Sequence, residues 1–484
     1  MGVKRVLPMF VACLCAVPVE AKDSKVHGYV TAVRNATSFD IDDYRIMRDE
    51  SVTIEFDRDD DDEEAADFPK DIRVGSEIEI RGEYNDETHE LKARSVKVFT
   101  RESHRLKRAA ILNEAPQLRK AGAFWEGSFR ADGQRIVVDE TTLVMIVPNT
   151  SQKKAAKQAA KDAKKGGPDG AEAAGQVLAR LDDVHVGMYV SYEGARLDDG
   201  RIRAKKVQFR DNEMTSAEAR LWKSLTPKVT AFKATKPGEL KLGAAGKFKL
   251  TPNDEVQNYL RNLAGKLVPE SQKRLAPGDP NRIPFQFFLA ESKAANAFAT
   301  ANGVVVVLAP MLAMAETEGQ LAAVLAHEIA HSTQEHTLRQ MEFHKKKRML
   351  LSIGAAFAAG YGAYSVRDLL NLTSAAITNG YQRYLENQAD RIGMEYMLAA
   401  GYDPREAPRF WKTLSLKAGD GPTNFFWSNH DNNTTRRSYL MSELAVNYTD
   451  TDFDSLKTTS PEFVRIRGIV SDLYSKHKKI KVKF

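Results

Sequence analysis

Two histidines and a glutamate near the middle of the chain have a spacing that could bind a metal ion. Residues 320–337 contain the run His327-Glu328-Ile-Ala-His331, and apolar residues at 321, 324, 325 and 329 predict an amphipathic helix. Because residues four apart lie on one helix face, both imidazoles can share a Zn²⁺ ion. Glu328 lies about 100° further round the helix, so its carboxylate can reach a water on the metal rather than the metal itself. Two histidines that hold zinc and a glutamate that takes a proton from an attacking water form the arrangement of a metalloprotease.

A catalytic zinc ion needs a third protein ligand, and two regions of the chain could supply one. His336 is close, but it follows His327 by nine residues and would point to the opposite side of a continued helix. We therefore expect His336 in a second layer around the metal or at the surface. Residues 380–390 predict another helix, with Glu386 and Asp390 four residues apart on one face. One of these carboxylates can bind the zinc while the other accepts the remaining ring N–H of a ligand histidine.

The segment from about residue 256 to 440 resembles metallopeptidase family 48, the group that contains HtpX and the CAAX prenyl endopeptidases. It is most similar to the soluble, exported bacterial members. The matching motifs are Asn296-Ala297-Phe298-Ala299 before Gly303, the run 318–328 that ends in His327-Glu328, and the run 383–390 followed by Ala400-Gly-Tyr-Asp-Pro404. The resemblance implies a gluzincin domain with one zinc ion per chain, bound by His327, His331 and Glu386. It also implies Glu328 as the general base.

A late histidine of the family also has a counterpart in this chain. His430 is followed six residues later by Arg436, although Asn429 and Asp431 replace the threonine and proline of the family motif. The resemblance implies that His430 stabilises the oxyanion or caps the zinc in a resting state. Arg436 or Arg437 is a candidate to pair with the carboxylates of the site, with an ordinary surface arginine as the alternative. With Glu386 as the ligand, Asp390 is the expected partner of a ligand histidine.

The stretch Asn296, Ala297 and Phe298 is a candidate for substrate binding. We expect an edge strand above the zinc helix, which can bind an extended peptide by main-chain pairing. An ordinary hairpin with no contact to substrate is the alternative reading.

The N-terminal half predicts two copies of a small β module, at residues 22–100 and 123–210. Each copy combines a Val-Gly pair, a later glycine and a small residue followed by valine, at 74–75, 82, 93 and 96 and again at 186–187, 194, 204 and 207. Short strands with glycine turns suggest OB-like barrels. We expect a helical linker at 101–122, a low-complexity insertion at 151–176 and a linker helix at 211–225. The zinc metallopeptidase domain follows at 226–484, so the fold class is α+β multidomain: two OB-like modules, then a mainly helical domain with a short β-sheet.

Two apolar stretches bear on localisation. Residues 1–21 combine Lys4 and Arg5 with about a dozen apolar residues and a small-residue site, which predicts a cleaved signal peptide. The expected location is the periplasm, with secretion or outer-membrane association as alternatives. Residues 349–364 are apolar but too short to span a bilayer comfortably, so at most peripheral membrane contact is expected.

Composition limits the classes of function. The 484 residues are 42% hydrophobic and 28% charged, which excludes a disordered or polytopic membrane protein. The 71 basic and 65 acidic residues make a mixed surface, so no nucleic acid partner is expected. The predicted function is a zinc endopeptidase of the bacterial envelope, acting on unfolded or misassembled polypeptides, with envelope proteins as candidate partners of the β modules. The alternative is an envelope chaperone or assembly factor whose zinc site is mostly inactive because His430 caps the zinc at rest.

Overall fold

The computed structural model describes residues 22–57, 72–99, 106–147, 184–230, 238–340, 381–418 and 433–475, apart from a few positions inside these ranges and three isolated ones. The predicted signal peptide, His430, the apolar stretch 349–364 and nearly all of the insertion 151–176 lie outside the described residues. Two β-rich modules precede a mainly helical region with small sheets. The predicted α+β multidomain class is therefore confirmed.

The first module is a seven-stranded sheet. Its strands are β1 (Lys22–Tyr29), β2 (Ala32–Asn35), β3 (Ser38–Ile41), β4 (Tyr44–Arg48), β5 (Ile54–Asp57), β6 (Glu77–Asn85) and β7 (Glu90–Phe99). They run in the order β1-β6-β7-β4-β3-β2, and β5 also pairs with β7. β4 and β5 are parallel to β7, whereas the other pairs are antiparallel. Ile78 and Ile80 alternate with charged residues and are fully buried, as a half-buried strand requires.

The second module repeats this topology strand for strand. Its strands are β8 (Leu106–Ile111), β9 (Gln117–Ala121), β10 (Phe124–Ala131), β11 (Gln134–Val138), β12 (Leu143–Val147), β13 (Tyr189–Arg196) and β14 (Ile202–Arg210), in the order β8-β13-β14-β11-β10-β9 with β12 beside β14. The pairing register shifts at Gly82 in one module and at Gly194 in the other. A Cβ at either glycine would collide with a carbonyl oxygen of the opposite strand, which explains the repeated glycines. Each sheet has seven strands, two more than an OB-fold barrel.

The helical linker predicted at 101–122 is wrong, because β8 and β9 occupy most of it. Strand β8 is the counterpart of β1, since the residue after each strand donates its N–H in the same way, Val30 to Ser76 O and Leu112 to Met188 O. The second module therefore begins at β8 and not at residue 123. The Leu, Lys, Arg and Ala residues of β8 favour a helix locally, but pairing with β13 overrides that preference.

The C-terminal region is mainly helical. Its helices are α1 (Ser216–Ser224), α2 (Asp254–Leu267), α3 (Glu270–Arg274), α4 (Ala309–Met314), α5 (Glu318–Thr333), α6 (Arg383–Ala399), α7 (Glu406–Ala418), α8 (Asn433–Asn447) and α9 (Pro461–Ser475), with a 3₁₀ turn at Phe453–Ser455. Strands β15 (Lys228–Thr230), β16 (Glu239–Lys241) and β17 (Lys247–Lys249) form one small sheet, and β18 (Gln286–Ala290), β19 (Ala297–Ala299) and β20 (Val304–Leu308) form another. Among the described residues, no helix has the length and apolar character needed to cross a membrane.

Helix α5 lies at the centre of the largest hydrophobic core and is buried along its whole length. Thr317 begins it by accepting a hydrogen bond from the Gln320 N–H at 3.1 Å, which satisfies an otherwise unpaired donor of the first turn. Helix α6 packs closely against α5 at Gly393, where a Cβ would lie 3.2 Å from the backbone nitrogen of His327. This close approach brings the polar face of α6 next to the two histidines.

Candidate metal centre

The structure brings His327, His331 and Glu386 together in a buried cluster. Their ligand atoms all lie within 4.8 Å of one another, a grouping that could hold a metal ion. The two Nε2 atoms are 2.9 Å apart. The Glu386 carboxylate places Oε2 3.3 Å from Nε2 of His327 and Oε1 3.7 Å from Nε2 of His331.

These distances fit a tetrahedral zinc site. Ligands at about 2.0–2.1 Å from a tetrahedral ion lie about 3.3 Å from one another, and the three distances above bracket that value. Two imidazoles and one carboxylate are also a usual donor set for catalytic zinc, which keeps its fourth position for water. His327, His331 and Glu386 are therefore suited to hold zinc.

Asp390 and Arg436 hold His327 in place. Asp390 Oδ1 lies 2.9 Å from Nδ1 of His327, and a carboxylate at that position accepts the Nδ1–H. Arg436 on α8 donates to both Asp390 oxygens, from Nε at 2.6 Å and from Nη2 at 2.8 Å. Burial and the Arg436 charge lower the pKa of His327, but hydrogen bonds to Asp390 and Glu386 outweigh them and raise it to about 9. The two carboxylates thus favour positive charge at this point.

Glu328 is buried beside the cluster, one residue after His327. Burial raises the pKa of its carboxyl to about 7, and the nearby Glu386 adds to this rise. His327, Arg436 and a hydrogen bond from the Ala299 backbone act in the opposite direction. The carboxylate therefore contacts the main chain of β19, a contact that the sequence motifs did not indicate.

Strand β19, which includes Ala297 and Phe298, is an edge strand of its three-stranded sheet. Asn296 O accepts from the Leu308 N–H at 2.8 Å, and the Thr300 N–H donates to Val304 O at 2.9 Å. Even-numbered residues of this hairpin thus pair with β20. In an antiparallel ladder the odd-numbered residues, among them Ala297, then direct their main-chain groups to the outer edge, which is the Glu328 side.

His336 lies in the core rather than on the opposite side of a continued helix. Helix α5 ends at Thr333, and Glu335 has a left-handed backbone with φ of 52°, so a turn changes the direction of the chain before the helical residues 336–340. His336 Nδ1 consequently lies 2.7 Å from Nδ1 of His331, and its Nε2 lies 3.0 Å from Oε1 of Gln388. Burial lowers the pKa of His336 to about 3, which keeps the ring neutral.

Tyr381 is a further contact that sequence reasoning missed. Its ring stacks on that of His331 with centroids 4.2 Å apart, and its backbone N–H donates to Glu386 Oε1 at 3.1 Å. Its hydroxyl lies 2.8 Å from the Thr337 hydroxyl. The available signal in the sequence was a tyrosine five residues before Glu386, but aromatic residues at such a spacing are common in cores.

The geometry and the chain's similarities agree on its class. Residues 255–462 match the family described as Peptidase family M48, and this range includes all the residues placed at the metal cluster above. The domain that carries the centre therefore belongs to this metallopeptidase family, and the resemblance read from the motifs is confirmed. Residues 27–97 match a domain of unknown function, DUF5666, which covers most of the first β module.

Individual relatives each match about a third of the chain. The beta-barrel assembly-enhancing protease of Escherichia coli K12 is 32% identical over 165 residues, which are 33% of this chain and 32% of that protein. The protein of the same name from Yersinia pestis is 31% identical over 33% of each chain. Mitochondrial metalloendopeptidase OMA1 of Schizosaccharomyces pombe is 32% identical over 29% of this chain and 41% of that protein. The chain thus spans about a third to two fifths of the length of these curated relatives.

Proposed function

We propose that this protein is a zinc-dependent endopeptidase of the bacterial cell envelope that hydrolyses peptide bonds in unfolded or misassembled polypeptides. The observation that carries the proposal is the buried cluster of His327, His331 and Glu386 with Glu328 beside it. Membership of family M48 and the metalloendopeptidase names of relatives support the same class of reaction.

The residues divide the chemistry between them. Zinc held by His327, His331 and Glu386 supplies polarisation of the substrate carbonyl and activation of water. Glu328 takes a proton from the attacking water and passes it to the leaving amine. Asp390, held by Arg436, keeps the ring of His327 oriented toward the ion.

Substrate binding is assigned to the outer edge of β19. An extended polypeptide added to this edge would pair with the main chain at Ala297 and lie beside Glu328. Main-chain pairing tolerates many side chains, which suits unfolded substrates. A proline at position 297 removes one donor from the outer edge and spares the bonds to β20, so Ala297→Pro should raise KM more than it lowers kcat.

The periplasm is the proposed location, on the basis of the signal sequence read at residues 1–21. Envelope polypeptides are accordingly the proposed substrates. The names of the Escherichia coli and Yersinia pestis relatives, which refer to β-barrel assembly, are consistent with an envelope role.

The test is zinc content and cleavage of an unfolded test protein, measured for the wild type, for Glu328→Gln and for wild type stripped of metal by a chelator. We expect one zinc per chain in the first two, and cleavage by the wild type alone. Loss of the general base should lower the rate by about 10²–10⁴-fold. Loss of zinc from Glu328→Gln would contradict its role as a base. Zinc in both with cleavage in neither would favour the chaperone alternative.

A further inference from the structure

Equivalent strands of the two β modules contact residues close to the metal centre. In the first module the Tyr29 N–H of β1 donates to Ser438 Oγ on α8 at 2.9 Å. In the second module the Ile111 N–H of β8 donates to Gln334 Oε1, just after α5, at 2.8 Å. Since β1 and β8 are counterparts, one docking strand is used twice. In the second contact Gln334 lies two residues before His336, whose ring lies beside that of His331.

The second module also inserts a carboxylate beneath the centre. Asp132, in the turn between β10 and β11, is fully buried. Its Oδ1 accepts from Nη2 of Arg391 at 2.5 Å, and its Oδ2 accepts from Arg108 at 3.2 Å and from the Tyr192 hydroxyl at 3.0 Å. Burial by itself would raise the pKa of Asp132, but the charges of Arg391 and Arg108 outweigh it and hold the pKa below its usual value. Oδ1 also accepts a hydrogen bond from Nε2 of Gln388 on α6.

Hydrogen-bond polarity then runs in one direction from Asp132 to the metal cluster. A carboxylate only accepts, so Gln388 must direct its amide NH₂ to Asp132 and its oxygen to His336. That oxygen also only accepts, so His336 must carry its proton on Nε2. Nδ1 of His336 is consequently an acceptor, and His331 must carry its own proton on Nδ1, 2.7 Å away. The Nε2 atom of His331, which faces Glu386 and His327, is left with its lone pair.

We propose that the second β module is a positioning element of the metal centre: Asp132, acting through Gln388 and His336, fixes the tautomer of His331 in which Nε2 binds the metal. Asp390 does the same directly for His327. The centre thus draws one of its orienting carboxylates from the peptidase domain and the other from a module some two hundred residues earlier in the chain. Asp132, Gln388 and His336 are positioning residues in this scheme.

A matched pair of glutamine substitutions tests the relay. Gln388→Met removes the link between Asp132 and His336, together with the hydrogen bonds that Gln388 makes with Arg339 and with the Ala109 carbonyl. It leaves Asp132 bound to its two arginines and Tyr192. Gln334→Met is the control. This buried glutamine also hydrogen-bonds the backbone of β8, at Ile111, but its side chain makes no hydrogen bond to His331 or His336. Zinc affinity by chelator competition should fall about 10–100-fold in Gln388→Met and less than threefold in Gln334→Met. Equal zinc affinity of Gln388→Met and wild type would refute the relay.

A spectroscopic measurement distinguishes loss of control over the His331 tautomer from a general loss of structure around the metal centre. Long-range ¹H–¹⁵N correlation spectra of metal-free full-length protein labelled with [¹⁵N]histidine report which ring nitrogen carries the proton. His331, assigned by its absence from the His331→Gln spectrum, should show the Nδ1–H tautomer in wild type and in Gln334→Met. It should show a mixture in Gln388→Met. The Nε2–H tautomer of His331 in wild type would overturn the proposal.

The inference rests on the metal site of the proposed function but not on peptide cleavage. A protein that binds zinc and shows the predicted tautomers, yet cleaves nothing, would overturn the endopeptidase and leave the relay intact. Cleavage by the wild type, together with a zinc affinity that Gln388→Met leaves unchanged, would overturn the relay alone. A wild type that binds no zinc would overturn both.

Discussion

Docking of the second β module onto α6 can be measured with two alanine substitutions. Gly133 and Gly122 occupy turns of the same module and have nearly the same left-handed backbone, with φ of 68° and 64°. They differ in what surrounds them. A Cβ at Gly133 would lie 2.6 Å from Cβ of Arg391, whereas a Cβ at Gly122 would have nothing within 4 Å.

The expected losses in unfolding free energy follow from this difference. A left-handed alanine costs about 1–2 kcal/mol at either position. At Gly133 the contact with α6 adds about 1–3 kcal/mol of overpacking. Relief of that contact would draw the turn away from Arg391, whose Nε donates to Asp132 O at 2.8 Å and whose Nη2 holds the Asp132 carboxylate. Complete separation of that buried ion pair would cost about 3–5 kcal/mol.

Gly133→Ala should therefore lose about 1–5 kcal/mol more than Gly122→Ala, with the lower limit set by overpacking alone. The assay is urea unfolding of the zinc-loaded full chain, followed by circular dichroism and by zinc release to an indicator. Zinc release should move to lower urea in Gly133→Ala and follow the loss of structure. Equal midpoints for the two variants would refute the reasoning, because they would show that the turn does not press on α6 in solution.

Three further outcomes are expected. Arg436→Lys should weaken zinc binding about tenfold in chelator competition, because lysine cannot donate to both Asp390 oxygens, and unchanged affinity would count against that role. Gly28→Ala should lower the melting temperature of the full chain, since the new Cβ would lie 2.7 Å from both Ile41 Cγ2 and Ser438 Oγ; an unchanged melting temperature would contradict the packing of β1 at this contact. The ionised form of Asp132 stabilises the fold above about pH 4, and this contribution is lost as pH falls through its lowered pKa. Acid unfolding should consequently be less steep in Asp132→Asn, and parallel acid curves would argue against an ionised Asp132.

Much of the metal centre was readable from the sequence because its determinants are local. Helical periodicity places His327 and His331 on one face, and the same argument pairs Glu386 with Asp390. Family resemblance then indicated how the two helices meet, which periodicity cannot supply. The repeat of the β modules was visible for a similar reason. Gly82 and Gly194 lie at equivalent bulges, where a Cβ would collide with the opposite strand.

Local reasoning failed where long-range pairing competes with local preference. Residues 106–111 have the composition of a helix, yet they form β8 because β13 supplies a pairing partner some eighty residues later in the chain. The misplaced start of the second module follows from this one error. It also hid the fact that β1 and β8 are counterparts and dock in the same way.

The sequence by itself placed two histidines at a spacing that helical geometry brings onto one face, as a metal site requires, and it supplied a candidate glutamate ligand and a candidate base. Only the tertiary structure decided how that face is oriented and supported. His336 returns to His331 because Glu335 adopts a left-handed backbone, and Gln388 meets Asp132 because a β turn docks on α6. Such contacts join residues with no fixed separation along the chain, so no periodicity predicts them, and they form only when the packed core brings the two domains together.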